Sequence, residues 1–395
     1  MSTVSTAIVN IGDSHVGDAA GTPLAGDALA MRDGRISWIG DSSDVLAADH
    51  AVVVDAAGAT VVPGLIDSHV HTTFGDYTPR QGMLGFLDSY LHGGTTRVIS
   101  ASEVHVPGRP KDVVGVKALA VAAQRCFADF RPSGVTVHGG SVVLEPGLTL
   151  ADFEELRTAG VWLAKAGFGA FRDAMDYVPV VRDAQRAGLV VMCHTGGGSI
   201  PGSQSKISAE VLLAMRPDVA GHVNGGPTAL EPEENVRVIE EGGDMALQLV
   251  HAGNLRSAID ITDRALAADQ FHRLLIATDT PTGTGVVSLG MLRQMAELAS
   301  LSDLTARQAV AACTGNVGAV YGLDAGILDV GRPADVLVVD APVGGRASDA
   351  FAAMEIGDLP AVAVAITAGE IRFTRSRNTP PPSRPVALLS NGALT

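Results

Sequence analysis

Val61-Val-Pro-Gly-Leu-Ile-Asp-Ser-His-Val-His71 carries an apolar run into two histidines spaced two residues apart. Side chains alternate faces along a β-strand, so His69 and His71 point together, and the apolar residues before them make that strand a core element. Two neutral imidazoles converging from one strand end supply half of a divalent-metal site. A pair this short also arises by chance, or as two hydrogen-bonded core histidines. Its meaning therefore depends on what stands at the ends of the other strands.

Four later runs answer that question. Gly160-Val-Trp-Leu-Ala-Lys165 reads as a short buried strand with one lysine, which is costly to bury unless neutralised or paired. Reaction of its amine with CO2 would give a carbamate, a carboxylate on a long stem able to bridge two metal ions; a lysine snorkelling to solvent is the plainer alternative. Leu189-Val-Val-Met-Cys-His194 and Asp218-Val-Ala-Gly-His222 each place a histidine where an apolar run meets a Gly-rich loop. Leu274-Leu-Ile-Ala-Thr-Asp279 ends an apolar run on a carboxylate, and Pro281 forbids that run from continuing as a central strand. Each residue alone is an ordinary strand terminator. Four His, one Lys and one Asp at successive strand ends are harder to dismiss.

Strand-like runs at 97–100, 134–138, 160–165, 189–194, 218–222, 244–251 and 274–279 follow the first strand in order, making eight. Segments with helical apolar spacing lie between them, at 111–130, 150–159, 177–188 and 233–242. This alternation predicts an α/β chain folded as a closed parallel (β/α)8 barrel, with every candidate ligand on the C-terminal rim. The chain's 395 residues suffice for such a barrel plus an accessory domain. The tail at 374–385, with four prolines, is expected to be irregular and to wrap a surface.

Composition excludes some partners. A formal charge of −15 argues against nucleic acid or an anionic membrane, although a few local arginines can still hold an anionic substrate. Cys126, Cys193 and Cys313 are odd in number and lack C-x-x-C spacing, so they read as reduced core residues of a cytoplasmic protein. Alternation turns Cys193 to the strand face opposite His194. No secretion signal or membrane-spanning run is evident.

The ordered set His-x-His, Lys, His, His, Asp resembles the amidohydrolase superfamily. That resemblance spans nearly the whole chain. It extends to the flanks Ala28-Leu-Ala-Met-Arg-Asp-Gly-Arg-Ile-Ser-Trp-Ile-Gly40, Val54-Asp-Ala-Ala-Gly58 and Gly326-Ile-Leu-Asp-Val-Gly-Arg-Pro-Ala-Asp-Val-Leu-Val-Val-Asp340. It implies a distorted TIM barrel at 62–325 and a small β-sandwich built from 1–61 and 326–395. Loop stretches such as Gly75-Asp-Tyr-Thr-Pro-Arg-Gln81, His194-Thr-Gly-Gly-Gly-Ser and His222-Val-Asn-Gly-Gly-Pro-Thr228 resemble the enamidase branch, hydrolases of a cyclic enamide. Rim loops carry substrate choice. One departure is Lys165, where that branch is associated with a bridging glutamate; either group supplies a bridging carboxylate.

The resemblance implies two divalent ions, zinc first with iron or manganese as alternatives. His69, His71 and Asp279 would hold one, His194 and His222 the other, with carbamylated Lys165 between them. It implies attack on a cyclic amide C–N bond by hydroxide held between the ions, with Asp279 passing the proton to the leaving nitrogen. Hydrolysis of another lactam, an N-acyl amide, a dipeptide or a lactone is the alternative, and deamination a more distant one. Tyr77, Arg80, Arg109, His138, Asn224 and His251 are expected to border the mouth, Arg80 or Arg109 gripping a substrate carboxylate. Relatives also imply a homo-oligomer, often a tetramer.

Overall fold

The computed structural model describes residues 5–72, 79–102, 109–198, 205–225, 228–281, 287–390 and 393–394, with backbone only at 48, 79–84, 390 and 393–394. Eight parallel strands follow one another in chain order: Leu65–Val70, Thr95–Ser100, Thr136–His138 resuming at Ser141–Val143, Leu163–Ala166, Val190–His194, Val219–Gly221, Ala246–Val250 and Leu274–Ala277. Two features bring the last strand back to the first. Val70 and Thr280 form a parallel bridge, and the Asp279 N–H donates to the His69 carbonyl at 2.9 Å.

Strand alternation separates two layers of core. Ile66, Ile99, Leu163, Met192, Val219, Ala246 and Leu275 fill the barrel interior, closed at the base by Val317 and Tyr321. Their chain neighbours Leu65, Val98, Ala164, Val191, Ala220, Leu247 and Leu274 face the surrounding helices. Those helices include Val113–Asp129, Leu150–Thr158, Tyr177–Arg186 and Pro232–Glu241, close to the segments read from periodicity.

The third strand corrects the sequence reading. It does not end at His138 but pauses at Gly139-Gly140 and continues through Ser141–Val143. A Cβ on Gly140, whose φ is 95°, would lie 2.9 Å from the Ala120 carbonyl oxygen, and one on Gly139 would lie 2.9 Å from Phe127. Only glycine lets the helix Val113–Asp129 approach so closely. His138 therefore lies in the lower half of the barrel wall, away from the mouth.

Both chain ends build a second unit. One six-stranded sheet contains Ser5–Val9, Ala28–Arg32, Arg35–Gly40, Val52–Asp55, Ala387–Ser390 and Ala393–Leu394. A five-stranded sheet contains Asp13–Ser14, Thr60–Pro63, Val336–Asp340, Ala361–Thr367 and Glu370–Phe373. Along Val336–Asp340, Val336 and Val338 enter the sandwich core while Leu337 and Val339 join the barrel's outer core, so one strand seals both units. Asp335 clamps the junction, its Oδ2 accepting from Arg97 Nε at 2.6 Å and its Oδ1 from the Ala368 N–H at 2.9 Å. The proline-rich tail wraps the chain's own barrel: Ser376 Oγ donates to the His92 carbonyl and Asn378 Nδ2 to that of Ser89. Cys193 and Cys313 are buried, but Cys126 is exposed on its helix and is not a core residue.

Candidate metal centre

All six side chains expected at strand ends stand on the upper rim of the barrel. His69 lies in the first strand, Lys165 in the fourth, His194 closes the fifth, His222 follows the sixth and Asp279 follows the eighth. Asp279 Oδ1 is 3.1 Å from His71 Nε2 and 3.3 Å from His69 Nε2. Lys165 Nζ lies 3.5 Å from His69 Nε2 and 3.3 Å from Met192 Sδ. His194 Nδ1 meets His222 Nε2 at 2.7 Å, and the His222 ring lies 5.3 Å from that of His69. Two of these residues carry backbone strain, His222 and Asp279 adopting φ of 40° and 58°.

The protonation states suit a cation. Burial, with Lys165 nearby, holds His69 well below the usual imidazole value. Burial and His222 do the same to His194, and burial takes His222 down to about 4 against the pull of Asp279. Burial pushes the Asp279 carboxyl up, but the imidazoles of His69 and His71 outweigh it and hold the group well below the carboxylate range. Neutral imidazoles beside an ionised carboxylate are what metal ligation requires. Burial also lowers the Lys165 amine to about 8, with Asp279 opposing.

Two observations test whether these residues fit a divalent centre. Ligand atoms of His69, His71 and Asp279 all lie within 4.8 Å of one another. His194 Nε2 and His222 Nδ1 are buried without a hydrogen-bond partner among the described residues, leaving lone pairs or N–H groups that water does not reach. The donor set fits.

Sequence reading missed Gln248, Asp67 and Glu145. Gln248 donates through Nε2 to Ser68 Oγ at 2.8 Å, which turns Oε1 toward His69 Nδ1 at 2.5 Å. This fixes the His69 tautomer, with its proton on Nδ1 and its Nε2 lone pair facing Asp279 and Lys165. A lone glutamine inside the apolar strand Ala246–Val250 is the signal that marks it. Asp67 accepts from Thr278 Oγ1 at 2.5 Å, and burial raises its carboxyl to about 7.

The expected substrate contacts fare differently. Tyr77 and the Arg80 side chain lie outside the described residues. Arg109 is buried and its guanidinium is already engaged, with Glu145 and two backbone carbonyls, so it is not presented to a ligand. Asn224 is likewise committed: Nδ2 donates to the Val250 carbonyl at 2.9 Å and Oδ1 accepts from the Val250 N–H at 2.8 Å. It pins one rim loop to the next strand. His138 packs edge-on against Trp162 in the lower wall, with Arg97 near it. His251 remains at the rim, partly exposed, 3.7 Å from Glu297.

A barrel of this build, with imidazoles and a carboxylate gathered at its upper rim, defines the class of metal-dependent barrel hydrolases. Within that class the chain belongs to the Amidohydrolase family, whose model matches residues 60–372. It is 44% identical over 385 residues to an enamidase from Eubacterium barkeri, covering 97% of this chain and 99% of that one. The crystal structure of an enamidase superposes with a TM-score of 0.91 at 44% identity, covering 98% of this chain and all of the other. An imidazolonepropionase from Micrococcus luteus is 29% identical over 86% of this chain and 93% of its own. Among the described residues, no helix is long and apolar enough to cross a membrane.

Proposed function

We propose that this protein is a metal-dependent amidohydrolase that opens a cyclic amide, most closely a cyclic enamide, at its C–N bond. The observation that carries this reading is 44% identity across almost the full length of both chains to an enamidase. The rim geometry supports it. His69, His71 and Asp279 would hold one divalent ion and His194 and His222 a second, with Lys165 between them as its carbamate. Carbamate formation joins the amine nitrogen to the carbon of CO2 and releases one proton. Zinc is the ion we propose, iron and manganese sharing the same ligand preferences. When bound, the ions supply an activated water and polarise the amide carbonyl.

The protein's own groups handle position and protons. Gln248 orients His69, and Ser102 Oγ lies 3.3 Å from His71 Nδ1 to steady the second imidazole. Asp279, kept ionised, accepts a proton from the attacking water and returns it to the leaving nitrogen, so that the nitrogen departs neutral. From an enamide the product is an enamine, which tautomerises and loses ammonia in water. We also propose the divisions 1–61, 62–325 and 326–395, because strands from both termini share sheets outside the barrel.

The test is a product assay with 6-oxo-tetrahydronicotinate on protein loaded with zinc in bicarbonate buffer, alongside neutral lactams. Ring opening with release of ammonia and two ions per chain is expected. Metal-loaded protein that hydrolyses no cyclic amide would overturn the reading.

A further inference from the structure

Arg109 and Glu145 form a buried ion pair, 2.5 Å between Nη2 and Oε1, with side chains 5% and 0% exposed. They come from different rim loops, those following the second and third barrel strands. Arg109 Nη1 donates to the Pro110 carbonyl of its own loop at 2.8 Å, and the other contacts of the pair reach a third loop, the one that leaves the Lys165 strand. Arg109 Nη2 donates to the Phe168 carbonyl at 2.6 Å, and Glu145 Oε2 accepts from the Ala170 N–H at 2.6 Å. Tyr177 closes the same turn, its hydroxyl oxygen accepting from the Gly169 N–H at 2.5 Å.

What this clamp fixes is the ring of Phe168. That ring packs edge-on against His194 with centroids 4.5 Å apart, and Gly167, at φ 99°, lets the loop pass so near that a Cβ there would stand 2.6 Å from the His194 Cβ. His194 has no hydrogen bond to its Nε2 among the described residues, so beyond His222 at Nδ1 its orientation depends on packing. Burying two charges is costly, and removing either strands the other. A pair held at that cost between three loops, with no contact to the ligand set itself, calls for a role that packing alone does not give.

We propose that Arg109 and Glu145 are positioning residues, which set the Phe168 loop and through it the orientation of His194 as a metal ligand. The proposal rests on the metal-centre reading above for its consequence, and on the loop geometry alone for its mechanism. It replaces a carboxylate grip by Arg109.

The experiment compares Glu145→Gln, Arg109→Met and Phe168→Leu with the parent protein. Hydrogen exchange in metal-free protein reads the loop directly: Glu145→Gln and Arg109→Met should speed exchange of the Ala170 amide at least tenfold, and Phe168→Leu should leave it slow. Zinc competition with a chromogenic chelator reads the consequence. All three variants should bind the second ion at least tenfold more weakly and the first ion as the parent does, and the spectrum of cobalt-loaded protein should change. KM for acidic and neutral cyclic amides should move together. Phe168→Leu keeps the ion pair, so it covers the case in which the charge variants fail to fold. Unchanged exchange at Ala170, parent-like affinity for both ions in Phe168→Leu, or a KM effect confined to acidic substrates would each overturn the proposal. A parent protein that binds no metal, yet shows the exchange differences, would sink the metal reading and leave the clamp standing.

Discussion

At Asp279 burial and charge oppose each other, and the outcome decides whether the residue can work. Burial pushes its carboxyl up, but His69 and His71, at 3.3 and 3.1 Å, outweigh that and hold it well below the usual carboxylate range. An ionised carboxylate there can accept a proton from water, and an amide in its place cannot. Asp279→Asn is nearly isosteric, so the fold should persist by circular dichroism while kcat falls by about 10²–10⁴-fold; near-normal kcat would remove the proton-shuttle role. Lys165 presents a different chemistry. Its amine is wholly buried and in contact with an imidazole and a thioether, and burial lowers it to about 8, which brings an uncharged, CO2-reactive nitrogen within reach near neutral pH. Lys165→Ala should lose zinc and activity together, and millimolar acetate or propionate should restore part of both by entering the space left behind. Activity that survives the substitution without added acid would remove the bridge.

The third barrel strand shows what an element can hide. His138 Nε2 is buried without a hydrogen-bond partner among the described residues, and burial, with Arg97 and Arg131 nearby, takes its imidazole down to about 3. A histidine depressed in the folded state stays neutral while the unfolded chain, at its ordinary value near 6.5, takes up a proton. Stability is therefore full above that value and is lost as pH falls through it toward about 3. The loss should amount to roughly 2 kcal/mol by pH 5 relative to pH 8. Urea unfolding of His138→Phe at both pH values should show that increment gone; an equal drop in both proteins would place the acid sensitivity elsewhere. Sequence reading located this strand yet put His138 at the mouth, because Gly139-Gly140 resembles a strand-ending turn. That the glycines admit a helix backbone is a fact of packing, invisible to pattern. The candidate ligands at the rim were legible for the opposite reason, since apolar alternation and a polar terminus are both local. What engages Arg109 and Asn224 could not be read from local pattern, because Glu145 and the backbone around Val250 lie in other loops. Gln248 was legible in principle, as a polar residue inside an apolar strand.

For the whole molecule, the candidate ligands span residues 69 to 279, and the ring of eight strands, its last tied to its first by the Val70–Thr280 bridge, brings them together. An unfolded chain holds no such site, so ions that bind here bind the folded state alone and stabilise it by RT ln(1 + [L]/Kd). At free zinc a hundredfold above Kd this amounts to about 2.7 kcal/mol per ion. Because Val336–Asp340 shares its faces between barrel and sandwich cores, the gain should be felt by both units in one transition. Calorimetry should show a single endotherm that falls by roughly 6 °C when chelation removes both ions, given about 1.2 °C per kcal/mol for a chain of this size. Adding zinc back should restore it, and Lys165→Ala should abolish most of the difference. A melting temperature indifferent to chelator would mean that no ion is shared between the strands. Two separate endotherms, with only one responding to metal, would mean that the shared strand does not couple the units.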